Sequence, residues 1–130
     1  MTLTHATAED WLTRYGRAWE TADPQAAAAL FTPDCRYFET PFSEPARGRD
    51  GVAGYWQAVP EGQTDVRFGF RVLAVSAPTV IAHWTATFNR RQGGSRVDLD
   101  GVFVLEFDEA GLCCTLREWW HRQETPGAAG

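Results

Sequence analysis

Hydrophobic residues recur at helical spacing near the start of the chain. Leu12, Tyr15 and Trp19 lie three and four positions apart, so they share one face of a helix predicted over residues 7–21. Thr7 is the expected N-cap, because its hydroxyl can accept a hydrogen bond from a free N–H group of the first turn. The pattern predicts an amphipathic helix that packs on the rest of the molecule through its aromatic face.

Two further short helices are predicted in the first half of the chain. Asp23 followed by Pro24 is typical of an N-cap and a first helical residue, and the second helix is predicted to continue to residue 31. A third helix is predicted to begin with Asp50 as its N-cap and to end at residue 56 or 58.

The second half of the chain has the composition and alternation of β-strands. It is rich in β-branched and aromatic residues, and turns that contain Gly, Pro or Asp separate its apolar runs. A short strand over residues 35–39 and four long strands over residues 66–76, 79–91, 96–108 and 112–123 are predicted. Helices followed by an antiparallel meander predict an α+β fold, with the helices packed on one face of a curved sheet.

The alternation also predicts which side chains of the long strands face the helices. The better core face of the strand over residues 79–91 consists of Val80, Ala82, Trp84, Ala86 and Phe88. Asp98 and Asp100 of the next strand are predicted to face outward. Neither face of the last strand is cleanly apolar, so the pattern alone does not decide the direction of Glu118.

Length, charge and cysteine content limit the classes of function. The 130 residues suit a single domain over residues 1–130, with an ordered core over residues 7–124. The formal net charge is −5 without any lysine, and the arginines are scattered, so no nucleic-acid partner is expected. No apolar run approaches the length of a membrane helix, so we expect a cytoplasmic protein with no membrane partner. Cys35, Cys113 and Cys114 have no metal-ligand spacing, and we expect neither a metal nor an organic cofactor.

The stretch over residues 14–48 carries a recognisable set of residues. They are Arg14-Tyr15, Asp23, Ala29-Leu30-Phe31, Asp34, Glu39, Ser43-Glu44-Pro45 and Gly48. The set resembles the ketosteroid isomerase branch of the nuclear transport factor 2-like superfamily, which also holds SnoaL-like polyketide cyclases and limonene epoxide hydrolases. The stretch from Gly101 to Trp120 resembles the last hairpin of that family. The resemblance implies a cone-shaped, cystatin-like roll, with a curved antiparallel sheet packed against about three N-terminal helices.

The resemblance also implies roles for individual residues. Tyr15 falls where the family has a tyrosine that donates a hydrogen bond to the substrate oxyanion, and Glu39 falls where a carboxylate shuttles the proton. Phe103 stands where the isomerases have a protonated aspartic acid as the second donor. Because loss of one such donor costs about 10²- to 10³-fold in rate, true ketosteroid isomerase activity is not expected.

Glu118 is the third candidate catalytic residue, because the resemblance places it on the cavity side of the last strand. The residues expected to line a pocket for substrate are Trp19, Tyr37, Phe42, Trp56, Trp84, Phe103, Leu116 and Trp120. For every candidate a purely structural role stays open, with Tyr15 as a core aromatic, Glu39 as an exposed loop carboxylate and the tryptophans as core.

Three functional hypotheses follow from these residues. The first is a cofactor-independent acid–base enzyme of the isomerase, cyclase or hydratase type, acting on a small, apolar, carbonyl-containing substrate. In it Glu39 moves the proton, Tyr15 stabilises the oxyanion and Glu118 is a second acid or base. The second is a non-catalytic module of the same fold that binds a small apolar ligand or dimerises. The third is a hydrolase that resembles the epoxide hydrolases and uses Glu118 and water.

The outer face of the sheet is expected to carry a homodimer contact. Trp119 would lie there, close to Ile81 and to Val102 or Val104, and would leave an apolar patch that a second copy of the chain could cover.

Overall fold

The first helix, α1, spans His5–Glu20 in the computed structural model, which describes residues 2–127. Its N-cap is Thr4, whereas Thr7 was predicted. The hydroxyl of Thr4 accepts a hydrogen bond from the Thr7 N–H at 3.2 Å, and the hydroxyl of Thr7 accepts one from the Thr4 N–H at 2.9 Å. Apolar spacing does not distinguish two threonines one turn apart, and this reciprocal capping box puts the cap at the first of them.

The second helix, α2, spans Pro24–Ala28. The predicted start is confirmed, because the carboxylate of Asp23 accepts a hydrogen bond from the Ala26 N–H at 3.0 Å. The helix ends earlier than predicted, since Phe31 already pairs in the sheet.

The third and fourth helices, α3 and α4, span Gly48–Trp56 and Ala58–Gly62. Asp50 lies in the first turn of α3 and is not its N-cap; Arg47 occupies the cap position without a side-chain hydrogen bond. Gly48 has φ +69°, a conformation that favours glycine, and it lets the chain leave the sheet and enter the helix before Asp50. None of the helices in the described part of the chain is long and apolar enough to cross a membrane.

Within residues 2–127, six strands form one curved sheet. They are β1 (Phe31–Phe38), β2 (Ala46–Arg47), β3 (Gln63–Ser76), β4 (Thr79–Arg90), β5 (Arg96–Phe107) and β6 (Cys113–Thr125). Their order is β2-β1-β6-β5-β4-β3, and every neighbouring pair is antiparallel except β1 and β6, which are parallel. The predicted α+β fold is confirmed, with a mixed sheet in place of a purely antiparallel one. The parallel pair joins two strands that are far apart in the chain, and local turn signals do not report such a contact.

The concave face of the sheet packs against α1 and carries the hydrophobic core. The predicted inner face of β4 is confirmed, because all five of its residues are buried. Gly101 of β5 pairs with Trp84 of β4 on one side and with Trp120 of β6 on the other. Since Gly101 has no side chain, these two large rings fit beside it on the concave face.

Candidate functional site

A cavity of about 400 Å³ lies between the helices α1, α3 and α4 and the concave face of the sheet. This volume is within the range of small-molecule sites in proteins. Five of the residues expected to form its walls do line it, and they are Trp19, Tyr37, Trp56, Trp84 and Trp120. The walls are therefore largely aromatic.

Three other residues expected at the walls lie elsewhere. Phe103 and Leu116 are fully buried and do not line the cavity. Phe103 stacks on Trp84 with ring centroids 5.0 Å apart, so it supports this part of the wall from behind. Phe42 is 99% exposed in the loop between β1 and β2, because this loop carries the residue away from the concave face.

Tyr15 lies one layer behind the cavity wall. Its hydroxyl and that of Tyr37 are 2.7 Å apart in a buried hydrogen bond, and of the two only Tyr37 lines the cavity. Burial, followed by the nearby charge of Glu118, raises the pKa of both phenols well above the ordinary value. Both phenols therefore stay protonated. The hydrogen bond between them uses one of the two hydroxyl protons, so the other can be donated to a third group. Tyr15 is therefore connected to the cavity through its hydrogen bond with Tyr37.

The position of Glu118 is decided by the register of β6. It pairs with Phe103 of β5, so its side chain shares the concave face with Leu116 and Trp120. Its carboxyl is buried yet lines the cavity. Burial, followed by the charge of Glu39, raises the pKa of this carboxyl well above its ordinary value, so the site favours the protonated form. A buried, protonated carboxyl can donate a proton.

Glu39 lines the same cavity at the end of β1. The main-chain carbonyl of Glu39 accepts a hydrogen bond from the indole N–H of Trp120 at 3.1 Å, which ties this residue to β6. Tyr55 of α3 also lines the cavity, and its pKa is raised by burial, then by the charges of Glu118 and Glu39. The two carboxyl groups and this phenol therefore share one electrostatic environment.

Two arginines lie at the exposed part of the cavity lining. Arg90 binds the Glu124 carboxylate through two hydrogen bonds, at 2.8 and 3.2 Å, which holds its guanidinium in place. Arg122 also lines the cavity and is exposed. The cavity therefore combines carboxyl groups and aromatic rings with a cationic edge.

A family model of the SnoaL-like domain matches residues 12–115, which is most of the chain. The chain belongs to this family. The resemblance noted in the sequence is thereby confirmed, together with the fold that it implied. No curated protein sequence matches the chain.

Solved structures share the fold of this SnoaL-like domain. The epoxide hydrolase/cyclase-like enzyme SalBIII, described for pyran ring formation in the polyether salinomycin, has a TM-score of 0.77 and 17% identity over 89% of this chain and 92% of its own. The Δ5-3-ketosteroid isomerase from Mycobacterium sp. has a TM-score of 0.76 and 20% identity over 92% and 98%. A computationally designed 17-OHP binder has a TM-score of 0.74 and 18% identity over 90% and 97%. At these identities the similarity shows the fold alone.

Sequence reasoning missed several residues of the cavity in this SnoaL-like domain. Tyr55, Gln63, Arg90 and Arg122 line it without having been predicted. The alternation of β6 could have found Arg122, which lies two positions after Trp120 on the same face. Tyr55 precedes Trp56 in a short helix, and the sequence contains no signal that brings its ring to 5.1 Å from that of Tyr37.

Glu118 is expected to make the stability of the domain depend on pH. The folded state holds the Glu118 proton more tightly than the unfolded chain does, because the folded-state pKa is raised. The resulting stabilisation is complete below the ordinary pKa of 4.5 and is lost as the pH rises toward the folded-state value. Within this window the free energy of unfolding should fall by up to about 1.4 kcal/mol per pH unit.

Urea denaturation of the wild type and the Glu118→Gln variant over a pH series measures this contribution. The variant should gain stability relative to the wild type as the pH rises, because its amide cannot lose a proton. Glu106→Gln, which changes an exposed carboxylate on the outer face, is the matched control and should leave the slope as it is. Identical pH slopes for wild type and Glu118→Gln would contradict the raised pKa of Glu118 in the folded state.

Proposed function

We propose that the chain is a cofactor-independent acid–base enzyme of the isomerase, cyclase or hydratase type. Its substrate is a small, largely apolar molecule that contains a carbonyl group. The observation that carries this proposal is the pair of carboxyl groups, Glu39 and Glu118, lining one aromatic cavity. An acid–base pair needs two carboxyls in different environments, and Glu118 is the more buried of these two.

The different burial of the two carboxyls suggests a division of roles. Glu118 is buried and favours its protonated form, so it serves as the acid that donates to the substrate oxygen. Glu39 is less buried and serves as the base that removes a proton from the carbon beside the carbonyl. The electron pair of the broken C–H bond forms a C=C bond, while the electron pair of the C=O π bond takes the proton of Glu118, which gives an enol. In a substrate with a neighbouring C=C bond, Glu39 then returns its proton to the far carbon as Glu118 recovers its proton from the oxygen, and this completes an isomerisation.

Tyr15 and Tyr37 support this chemistry at the oxygen. The hydrogen bond between their hydroxyls orients Tyr37, whose ring lines the cavity. Tyr37 then donates to the developing oxyanion, with Tyr15 acting behind it. The same acid and base also suit a cyclisation, in which the acid protonates a leaving oxygen while the base takes the proton of an attacking hydroxyl.

A non-catalytic ligand-binding module is the second candidate. It is favoured by the resemblance, which places Phe103 where the isomerases have their second oxyanion donor, and by a designed 17-OHP binder that has the same fold. In this case the cavity recognises an apolar ligand by its shape. The two carboxyl groups then only add polar surface to the lining and take no part in a reaction. A hydrolase resembling the epoxide hydrolases is the third candidate.

Deuterium exchange detected by NMR separates these functions. Ketones and enones sized for the cavity are incubated with the protein in D₂O, and the hydrogens on carbons beside the carbonyl are followed. Exchange above the buffer rate supports the enzyme. Absence of exchange on every compound whose binding is shown by titration would make the binding module the better description.

We also propose that the chain forms a homodimer through the outer face of the sheet. Trp119 is 48% exposed there and pairs in register with Val102, and the neighbouring Val104 pairs with Ile81. Covering an exposed indole beside aliphatic side chains favours association. Light scattering should give twice the monomer mass at micromolar concentration, and Trp119→Glu should give the monomer mass. A monomeric wild type would contradict the proposal.

A further inference from the structure

The two arginines of the cavity lining differ in their partners. Arg90 binds the Glu124 carboxylate through two hydrogen bonds, and the Ser95 hydroxyl donates to the same group. The hydrogen bonds from Arg90 and then from Ser95 lower the pKa of Glu124 to about 2, so this carboxylate is ionised and both of its oxygens are occupied. Arg122 acts on Glu124 only through its charge. Its side chain has no hydrogen-bond or salt-bridge partner within residues 2–127.

One positive charge is therefore left uncompensated in this group. Arg90 and Arg122 carry one positive charge each, and Glu124 carries one negative charge. Arg122 lines the cavity and is exposed, so an anion can pair with its guanidinium without the large desolvation cost of a buried ion pair. A guanidinium is a flat fork of donors that matches the two oxygens of a carboxylate. Arg122 is therefore available to an anionic group of a ligand.

Gln63 adds a neutral donor to the same lining. Its amide oxygen accepts a hydrogen bond from the indole N–H of Trp19 at 2.8 Å. Because an indole N–H is a donor only, this hydrogen bond fixes which end of the amide points to Trp19. The amide NH₂ group has no hydrogen-bond partner among the described residues, and Gln63 is partly buried at the cavity. An acceptor on a ligand can therefore use this NH₂ group as well as Arg122.

The cavity lining changes its chemical character along strand β6. Glu118, Trp120 and Arg122 alternate onto the concave face, and all three line the cavity. At about 3.3 Å per residue, the Cα atoms of Glu118 and Arg122 are roughly 13 Å apart. A ligand that places its carbonyl group at Glu118 and lies along the ring of Trp120 thus extends toward the cationic end.

We propose that the cationic end of the cavity binds a carboxylate of the ligand, with Arg122 as its ion-pair partner and the Gln63 NH₂ group as a further donor. The ligand is then an apolar keto acid, with its ketone at Glu118 and its carboxylate at Arg122. This inference deepens the proposed function and rests on it for the place of the ketone. A carboxylate matches the single uncompensated charge, whereas a phosphate monoester carries about 1.5 to 2 negative charges at neutral pH.

Four naphthalene probes test the carboxylate subsite by titration calorimetry. They are 6-acetyl-2-naphthoic acid, 6-acetyl-2-naphthamide, 2-naphthoic acid and 2-naphthamide, so that an ionised or a neutral planar group is combined with the presence or absence of a ketone. At neutral pH and low salt each acid should bind about 3- to 10-fold more tightly than its amide, the effect of one partly exposed ion pair. The preference should decrease as salt is added, because salt screens exposed charges.

Arg122→Gln should abolish the preference for the acids and leave the affinity for the amides nearly unchanged. Arg36→Gln is the matched control. Arg36 is exposed on β1, lies outside the cavity lining and has no side-chain hydrogen bond among the described residues. Both variants lose one positive charge, so the control accounts for the change in net charge. An equal loss of the preference in both variants would overturn the subsite.

Gln63→Glu tests the place of the ligand carboxylate from a second residue. A carboxylate at this position can still accept from Trp19, but it replaces the NH₂ donor with a negatively charged oxygen. The acids should then bind more weakly than their amides, because like charges repel each other. A preference for the acids as large as that of the wild type would contradict the placement of the carboxylate at Gln63.

The outcomes separate this subsite from the proposed enzyme. Deuterium exchange at the acetyl group of 6-acetyl-2-naphthoic acid in D₂O is measured on the same samples. A preference for the acids that depends on Arg122, without deuterium exchange, would retain the subsite and remove the enzyme. Exchange together with equal binding of acids and amides would remove the subsite and retain the enzyme. Failure of all four probes to bind would overturn the subsite.

Discussion

Replacing Glu39 with glutamine is expected to lower the rate of deuterium exchange by about 10²- to 10⁴-fold, because the variant lacks the proposed general base. The amide has nearly the same size and cannot accept the substrate proton. The main-chain carbonyl that accepts from Trp120 is unchanged, so the wall of the cavity should keep its position. Ligand affinity and thermal stability should therefore stay close to those of the wild type. Exchange rates from NMR and affinities from titration measure the two effects separately.

Glu44→Gln is the matched control for this experiment. Glu44 lies in the same segment between β1 and α3, and its side chain is 93% exposed at the surface. Its replacement should leave exchange at the wild-type rate. Unchanged exchange in Glu39→Gln would remove Glu39 from the mechanism, and an equal loss in both variants would show a general effect on the segment.

Gly101→Ala is expected to lower the free energy of unfolding by about 3 kcal/mol, because the new methyl group has no space. A Cβ atom at this position would lie 2.7 Å from the main-chain oxygen of Trp119, and 2.9 Å from both Trp120 Cβ and Trp84 Cε2. The first two atoms belong to the main chain of β6 or are attached to it, so a rotamer change cannot relieve the contact. Strand β6 would have to move, and with it the side of the cavity that carries Glu118.

Gly54→Ala is the control for the glycine replacement. Gly54 lies inside α3, and a Cβ there would meet nothing within 4 Å. Alanine should raise the free energy of unfolding by about 0.5–1 kcal/mol, because glycine is the poorer helix former. Urea denaturation of both variants measures the contrast. A Gly101→Ala protein as stable as the wild type would show that the strands adapt at this point.

Local patterns in the sequence predicted most of the secondary structure. The alternation from Val80 to Phe88 placed the core face of β4, and Asp23 before Pro24 placed the start of α2. The N-cap of α1 was predicted one turn too late in the chain, because both Thr4 and Thr7 have the side chain that a cap needs. Errors of this kind arise where two nearby residues satisfy the same local rule.

The candidate site was harder to predict than the secondary structure. Glu39 and Glu118 line one cavity as the resemblance implied, whereas Tyr15 lies behind Tyr37 and Phe42 lies in solvent. A family pattern predicts the position of a residue in the fold. It does not predict which neighbour covers that residue, or the path of a loop with a different sequence.

The sequence by itself determined the α+β class, the first three helices, the long strands and the aromatic character of the interior. These follow from periodicity and composition, which act over a few residues at a time. Only the tertiary structure decided that β1 pairs in parallel with β6, that Glu118 is buried, and that two indoles, those of Trp56 and Trp84, have no hydrogen-bond partner among the described residues. Each of these depends on atoms from strands and helices far apart in the chain. Whether a buried polar group has a hydrogen-bond partner depends on the packed molecule, because packing determines which donor or acceptor lies next to it.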